Sequence, residues 1–117
     1  MKKYELLEND SIVVHGKTLY RIKAVCDFGL VENGQIGGYI EKESNLSHFG
    51  ECWVYDNAKV YGEAKVYDNA KVFENAIICD NVKLHDNVCA CNHIKICGDI
   101  ELYGSGYVYD IDVINFR

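Results

Sequence analysis

The side chains of this sequence that could act as bases or nucleophiles are four histidines and six cysteines. A general base must titrate near neutral pH, and histidine is the ordinary side chain that does so. His85 stands next to Asp86 in the sequence, and His93 is the other candidate base. A single surface histidine is more often inert, so we predict no catalytic residue and keep His85 as the candidate to test.

The segment CACNHIKIC (residues 89–97) holds the densest set of soft metal ligands. Zinc accepts such side chains in a tetrahedral site, and the candidates are Cys89, Cys91, His93 and Cys97. Cys97 belongs to a later sequence repeat than Cys89 and Cys91, so we do not expect the set to converge on one ion. We predict no metal site and interpret these cysteines as small, strand-compatible hydrophobic residues.

Two glycine-rich stretches, GQIGG (residues 34–38) and YGSG (residues 103–106), could suggest a phosphate site. Neither opens a helical pattern, so a phosphate group would find no helix N-terminus. We therefore predict no cofactor.

A six-residue repeat runs through the region that must position these side chains. From Val54 onward every sixth residue is aliphatic: Val54, Val60, Val66, Val72, Ile78, Leu84, Ala90, Ile96, Leu102 and Val108. Four places after each lies a small or aliphatic residue, namely Ala58, Ala64, Ala70, Ala76, Val82, Val88, Ile94, Ile100 and Gly106, until Asp112. Steps of six residues drift around a helix, so this pattern excludes an α-helix.

Turn-forming pairs such as Asp-Asn and Gly-Glu separate the apolar positions, so each unit predicts a short strand followed by a turn. Three units per coil, or about 18 residues, give an all-β parallel β-helix with stacked strands. Residues 36–113 hold thirteen units, slightly more than four coils. Residues 1–35 form a capping segment, in which SIVV and TLYRIKAV flank HGK as in a β-hairpin. Residues 114–117 form a tail.

The first coil departs from the repeat. Extending the phase upstream puts Ile36 in the aliphatic column, whereas Lys42 and His48 do not fit inward positions. The small column would then contain Ile40, Leu46 and Cys52. We expect the first coil to be irregular.

The unit Val-Tyr-Asp-Asn-Ala-Lys resembles the hexapeptide repeat of the left-handed β-helix superfamily. More narrowly, CDFGLVENGQIGGYIEKESNLSHFGECWVYDNA (residues 26–58) resembles the opening of YdcK-like β-helix proteins of bacteria and, often, their phages. The superfamily resemblance implies a left-handed coil and a trimeric acyltransferase with a histidine base between subunits. No long looped insertion or C-terminal helix, which many such enzymes carry around the acyl donor, is expected here.

Outward side chains 18 residues apart should stack in columns. The most apolar outer surface is predicted to hold Tyr55, Phe73, Ile77, Cys91 and Tyr109. Such a stripe favours self-association as a trimer or dimer. Alternatively, the tyrosines only stabilise their own strands.

The turns hold a row of carboxylates at Asp56, Asp68, Glu74, Asp80 and Asp86, with Asp110 further on. Asparagine follows most of them and tolerates positive φ, while aspartate can bond its own turn. The functional alternative is a negative surface that mimics nucleic-acid phosphates for a basic protein. Cys79 and Cys97 fall one coil apart and are expected to be neighbouring free thiols.

Charge and composition limit the functional classes. The net charge is −6, and all of the excess lies in residues 36–117, so the surface should repel nucleic acid and attract a basic protein. Neither a signal peptide nor an apolar span for a membrane is visible. We expect a soluble protein with reduced cysteines, in the cytoplasm of a bacterium or of a phage-infected host.

These observations predict a non-catalytic β-helix that binds through an acidic, tyrosine-rich surface. Because the proteins it resembles are often carried by phages, and because its negative charge is segregated, a concrete version is a phage-encoded inhibitor of a host defence protein that binds nucleic acid. The alternative is a minimal hexapeptide-repeat acyltransferase with its site at a subunit interface.

Overall fold

The computed structural model describes residues 2–109 and 113–116, the last four through their backbone only. These residues form an all-β fold with one short 3-10 helix, Glu43–Asn45. The strands are β1 (Tyr4–Val14), β2 (Lys17–Ala24), β3 (Ile36–Ile40), β4 (Trp53–Val54), β5 (Lys59–Val60), β6 (Lys65–Val66), β7 (Lys71–Val72), β8 (Ile77–Ile78), β9 (Lys83–Leu84), β10 (Asn87–Ala90), β11 (Lys95–Gly98), β12 (Glu101–Leu102), β13 (Ser105–Val108) and β14 (Val113–Phe116). Within the described part of the chain there is no helix long and apolar enough to cross a membrane.

From β3 onward the chain coils so that successive strands lie in three different sheets. The seven-stranded sheet has the order β1-β2-β3-β5-β8-β11-β14, the four-stranded sheet β13-β10-β7-β4 and the three-stranded sheet β12-β9-β6. Every pair from β3 onward is parallel. The result is a three-sided β-helix of about four coils, which confirms the predicted fold class.

The spacing between coils is 18 residues from β4 onward. Trp53 pairs with Lys71 and Lys65 pairs with Lys83. Backbone amides donate to carbonyl groups one coil later, as Tyr67 does to Leu84 at 3.0 Å. Three six-residue units therefore make one coil, as the repeat predicts.

The two predicted inward columns form the core. Val60 and Val72 are fully buried and Val66 is 1% exposed, while the alanine column from Ala58 to Ala76 is fully buried. Small residues suit that column because each lies at a corner where two sheets converge. Leu102 and Val108 are only partly buried, because β12 and β13 are edge strands of their sheets.

The first coil is two residues longer than the others, and this shifts the phase predicted for it. Tyr39 pairs with Lys59, and Leu46 forms a bridge with Val66, both 20 residues apart. The two extra residues lie between Leu46 and Trp53, where the 18-residue spacing begins.

Three predictions for this coil therefore need correction. Ile40 and Leu46 stack on Val60 and Val66 and so belong to the aliphatic column, not the small one. Ile36 is 49% exposed and does not point inward. Cys52 is buried where predicted, because it lies after the extra residues.

The N-terminal segment is a hairpin that continues the seven-stranded sheet. Strands β1 and β2 are antiparallel, and β2 pairs with β3. His15 and Gly16 form the turn with φ of 49° and 79°, as two-residue hairpins of right-handed twist require. The hairpin covers the β3 edge of the first coil, which would otherwise be open for strand addition.

Lys3 and Tyr4 close the same end of the β-helix. The Lys3 ammonium is buried and donates to the carbonyl oxygens of Gly50 at 3.2 Å and Cys52 at 2.8 Å. Burial lowers the pKa of this lysine. The Tyr4 hydroxyl donates to the carbonyl oxygen of Leu46 at 2.6 Å. These donors satisfy carbonyl groups that have no earlier coil to bond.

At the other end, β14 pairs with β11 over residues 113–116. Residues 114–116, which were expected to be a tail, thus continue the parallel sheet. Asp110 was predicted to be a corner carboxylate, and Asp112 was predicted to break the inward column. Both lie outside the described residues.

Asn45 joins the first two coils from a fully buried position. Its side-chain oxygen accepts from the amides of Glu41 and Lys42 at 3.1 and 2.9 Å. Its side-chain nitrogen donates to the carbonyl oxygens of Gly62 and Ala64 at 3.1 and 2.8 Å. One amide side chain therefore satisfies four backbone groups.

We expect Asn45→Ala to lower the free energy of unfolding by at least about 3 kcal/mol, because an unpaired buried polar group costs about 1–3 kcal/mol. Urea unfolding followed by circular dichroism measures this change. Asn75→Ala, at an exposed corner, is the matched control and should change stability by less than about 0.5 kcal/mol. Equal effects of the two substitutions would contradict this role of Asn45.

Candidate functional site

The five corner carboxylates (Asp56, Asp68, Glu74, Asp80 and Asp86) hydrogen-bond the next coil. Each accepts from the backbone amide of the residue 18 positions later. The bonds join Asp56 to Glu74 at 3.0 Å, Asp68 to Asp86 at 3.1 Å, Glu74 to Asn92 at 2.8 Å, Asp80 to Gly98 at 2.9 Å and Asp86 to Gly104 at 3.0 Å. We expected each aspartate to hydrogen-bond its own turn. This was wrong, because the partner is an amide of the next coil.

The same residues adopt the left-handed backbone conformation. The φ of Asp56, Asp68, Glu74, Asp80 and Asp86 lies between 56° and 60°. The following asparagines, which were expected to take positive φ, do not. Gly62, Gly98 and Gly104 occupy this corner position elsewhere with φ of 70–97°. The corner carboxylates thus have a structural role, whatever they also bind.

Lysines separate the acidic corners on the surface. The strands β5, β6, β7, β9 and β11 each begin with a lysine. The surface consequently alternates between carboxylates at the corners and ammonium groups on the faces. This alternation weakens the resemblance to a continuous row of phosphates.

His85 lies in an aromatic stack at the corner that follows the three-stranded sheet. Its ring is sandwiched between Tyr67, with centroids 4.7 Å apart and an interplanar angle of 4°, and Tyr103, at 5.7 Å and 17°. Nδ1 lies 3.0 Å from Asp86 Oδ1, and Nε2 lies 2.6 Å from Glu101 Oε2. The side chain is 16% exposed.

The neighbouring carboxylates favour the charged form of this histidine. Burial alone would lower the pKa of His85, but the hydrogen bonds with Glu101 and Asp86 outweigh burial and raise it. The Gly104 amide and the His85 ring together lower the pKa of Asp86. An imidazolium that donates from both nitrogens has no lone pair for a substrate, so this geometry does not favour a general base.

The other histidines offer no better base. His48 accepts from the Lys3 amide at Nδ1, 3.0 Å away, and its Nε2 lies 2.8 Å from Glu43 Oε1. His93 is exposed at a corner, and His15 is exposed in the hairpin turn. The structure brings neither of the exposed rings together with His85.

The four soft ligands considered from the sequence lie apart. Cys89 lies in β10 of the four-stranded sheet, whereas Cys97 lies in β11 of the seven-stranded sheet. Cys91 is buried and His93 is exposed. Instead, two groups of described residues bring three potential ligand atoms within 4.8 Å of one another: Cys79, Asp80 and Cys97, and Asp68, His85 and Asp86.

An aromatic groove runs along the outside of the four-stranded sheet. It has a volume of about 370 Å³ and is lined by Leu30, Tyr55, Asp56, Lys71, Phe73, Cys89 and Tyr107. The rings of Tyr55 and Phe73 meet edge to face, with centroids 6.0 Å apart. Leu30 is 88% exposed and Tyr107 is 66% exposed.

The apolar surface predicted from the sequence is only partly one surface. Tyr55 and Phe73 line the groove, whereas Tyr109 is exposed and is not among the lining residues. Ile77 belongs to the seven-stranded sheet, around a corner from Phe73, and packs against a different cluster, formed by Leu19, Tyr39, Tyr61 and Cys79. Cys91 is buried. Leu30 was missed, because it comes from the cap segment and no repeat positions it.

No protein-family model matches the chain. Among curated proteins the chain is similar to the "Uncharacterized acetyltransferase YdcK" of Escherichia coli (strain K12), with 35% identity over 63 aligned positions that cover 48% of this chain. The alignment covers 19% of that relative, so the chain spans about a fifth of its length. This similarity and the β-helix together fit the hexapeptide-repeat β-helix superfamily, and the narrower YdcK resemblance is limited to the aligned segment.

The His85 site predicts a defined pH dependence of stability. Because the pKa of His85 is raised in the folded state, its protonation stabilises the fold. This contribution is fully present at pH values below the unfolded pKa of about 6.5, and it is lost as the pH rises through the folded pKa. Because the pKa of Asp86 is lowered in the folded state, its ionised carboxylate stabilises the fold above about pH 4. This contribution is lost as the pH falls through the folded pKa of Asp86. The substitution His85→Gln should therefore lower the melting temperature, relative to the wild type, more at about pH 5.5 than at about pH 9.

His93→Gln is the matched control because His93 is exposed at a corner. Its effect on the melting temperature should be small throughout this range. A loss for His85→Gln that is equal at both pH values would contradict the charged interaction.

Proposed function

We propose that the chain is a non-catalytic β-helix protein that acts by binding, and that it self-associates through the aromatic groove. The observation that carries this proposal is the exposure of Leu30 and Tyr107 beside the Tyr55–Phe73 pair. A contiguous exposed apolar surface on a protein commonly marks an interaction site. The cross-strand contact of Tyr55 with Phe73 stabilises the coils as well, but it does not account for Leu30.

The groove has a charge pattern that is compatible with a two-fold pair of identical chains. Lys71 and Asp56 both line it. In a two-fold interface each patch faces its own copy, so Lys71 of each chain can approach Asp56 of the other. The apolar residues then supply the buried centre and the two charged residues supply the rim. A dimer is thus the simplest assembly, while the superfamily resemblance suggests a trimer.

The histidines support a non-catalytic role. Both ring nitrogens of His85 face carboxylates, and both ring nitrogens of His48 have partners. The aromatic groove contains no histidine. A binding function needs neither a free base nor an enclosed cleft, and it fits a rigid three-sided surface.

A narrower version of the proposal concerns the partner. The excess negative charge of residues 36–117 favours a basic protein as the partner, and the phage resemblance favours an inhibitor of a host defence protein in the bacterial cytoplasm. Because the corner carboxylates also bond backbone amides, Asp56→Asn with Glu74→Gln removes charge and keeps an acceptor. Salt-dependent binding to polylysine should weaken in that double variant, and unchanged binding would exclude the electrostatic account.

A second candidate, an acyltransferase, is favoured by the similarity to a protein named as an uncharacterised acetyltransferase. In this interpretation a site would form at a subunit interface, and His85 would have to release one carboxylate. A rise in melting temperature with an acyl-CoA, abolished by His85→Gln, would favour the enzyme over the binding protein.

The experiment that tests self-association is sedimentation equilibrium of the wild type, of Leu30→Asp and of Tyr107→Asp. We expect the wild type to associate and each variant to weaken association by at least about tenfold, since it puts a charge at an apolar contact. Both side chains are well exposed in the single chain, so the fold should survive.

The matched control is Val13→Asp, at a residue that is 73% exposed on the hairpin, away from the groove. It should associate like the wild type. A monomeric wild type at millimolar concentration, or association unaffected by both groove variants, would overturn the proposal.

A further inference from the structure

One column of outward side chains carries cysteines on two successive coils. Tyr61, Cys79 and Cys97 are 18 residues apart at the corner that follows the seven-stranded sheet. The equivalent position in the other units is aromatic in Tyr55, Tyr67, Phe73, Tyr103 and Tyr109, and it is a histidine or a cysteine in His85 and Cys91. At this position no other column places thiols on two successive coils, so the pair is particular to this column.

The two thiols have a carboxylate beside them. The sulfur atoms of Cys79 and Cys97 and a carboxylate oxygen of Asp80 all lie within 4.8 Å of one another. The Gly98 amide donates to Asp80 Oδ2 at 2.9 Å, which fixes the orientation of this carboxylate. Three potential ligands therefore converge on one point from two adjacent coils.

The hairpin shields this point from one side. Leu19 is fully buried against Tyr39, Tyr61 and Cys79, and Cys79 is only 5% exposed. A neighbouring cavity of about 390 Å³, lined by residues that include Lys17, Asp80 and Gly98, opens beside it. The ligands are thus partly dry, yet a solvent path reaches the carboxylate.

We propose that Cys79, Asp80 and Cys97 bind a soft divalent metal ion of the zinc type. Zinc bonds thiolate sulfur at about 2.3 Å and carboxylate oxygen at about 2.0–2.2 Å, so tetrahedral ligand atoms lie about 3.5–3.8 Å apart. The three ligand atoms lie within 4.8 Å of one another, so they must approach by at most about 1.3 Å to reach these values. Water takes the fourth position, as in zinc sites with three protein ligands.

The proton and charge balance of this site is simple. Binding displaces one proton from each thiol to the solvent, and two thiolates, one carboxylate and a divalent ion leave a net charge of −1. Burial raises the pKa of the Cys79 thiol to about 11 and the Lys95 ammonium acts in the opposite direction, so the ion must displace a firmly held proton. The Tyr61 hydroxyl hydrogen-bonds the Cys79 sulfur and can support it from outside the ligand set.

The second ligand group is a poorer candidate. Both nitrogens of His85 already face carboxylates, and a third, Asp68, lies 3.6 Å from Nδ1, so the surroundings favour a proton on each nitrogen. A metal ion there would have to displace a proton that the surroundings stabilise. The Cys79 group contains no such internal cation among its three ligands.

The test is a cobalt(II) titration of the reduced full chain after removal of bound metal with a chelator. We expect a sulfur-to-cobalt charge-transfer absorption that saturates at one ion per chain and disappears when zinc is added. Cys79→Ser and Cys97→Ser should each remove most of this absorption. Cys89→Ser, at a partly exposed thiol in the four-stranded sheet, should leave it unchanged.

Melting temperatures of the metal-free variants show whether each still folds. Cys97 is more exposed than Cys79, so Cys97→Ser keeps the test decisive if Cys79→Ser unfolds. Cobalt binding that persists at the same stoichiometry in Cys97→Ser, or a wild type without a sulfur-to-cobalt band, would overturn the proposal. Free thiols should also be counted in the chelator-treated protein under reductant. A disulfide between Cys79 and Cys97 in that sample would likewise overturn the proposal.

Discussion

The hydrogen bond between a corner carboxylate and the backbone amide one coil later is the interaction on which the regular part of this structure depends. Each such corner has a residue in the left-handed backbone conformation, which is strained for every residue type except glycine. The carboxylate offsets this strain by satisfying an amide that points out of the turn. Because the bond always spans 18 residues, it keeps the coils equal in circumference and holds the inward columns in line.

The inward columns and the outer surfaces follow from that regular spacing. With the coils in line, Val60, Val72 and their equivalents stack into a continuous core. Outward side chains stack in the same way and create long columns of one kind of residue. One column forms the aromatic groove, another the Tyr67–His85–Tyr103 stack, and a third brings Cys79 and Cys97 together. Surface chemistry in this fold is therefore set by residues 18 apart.

Features that neighbouring residues determine were predicted better from the sequence than features that depend on residues far apart in the chain. The core columns from Val54 onward were predicted correctly, because burial imposes the six-residue period directly on the sequence. The phase of the first coil was wrong at Ile40 and Leu46, because two extra residues after Leu46 leave no local signal. The position of positive φ was assigned to the asparagines, since the sequence alone does not show which residue of Asp-Asn lies at the corner.

The candidate sites were predicted less well for the same reason. The repeat predicts that Cys79 and Cys97 are neighbours, but the approach of Asp80 depends on the corner geometry. Ile77 was assigned to the surface of Phe73, although a corner separates them, because each strand begins one residue before the inward valine. Leu30 comes from a segment outside the repeat, and His85 acquires its second carboxylate, Glu101, from the next coil.

The most direct test of the central claim is amide hydrogen exchange, measured by NMR, in Asp86→Gly. Glycine removes the carboxylate and tolerates the left-handed corner, so the substitution introduces no backbone strain. The account predicts faster exchange at the Gly104 amide, whose acceptor is lost, and unchanged exchange at the Gly98 amide, which Asp80 still holds. Unchanged protection of the Gly104 amide would contradict it.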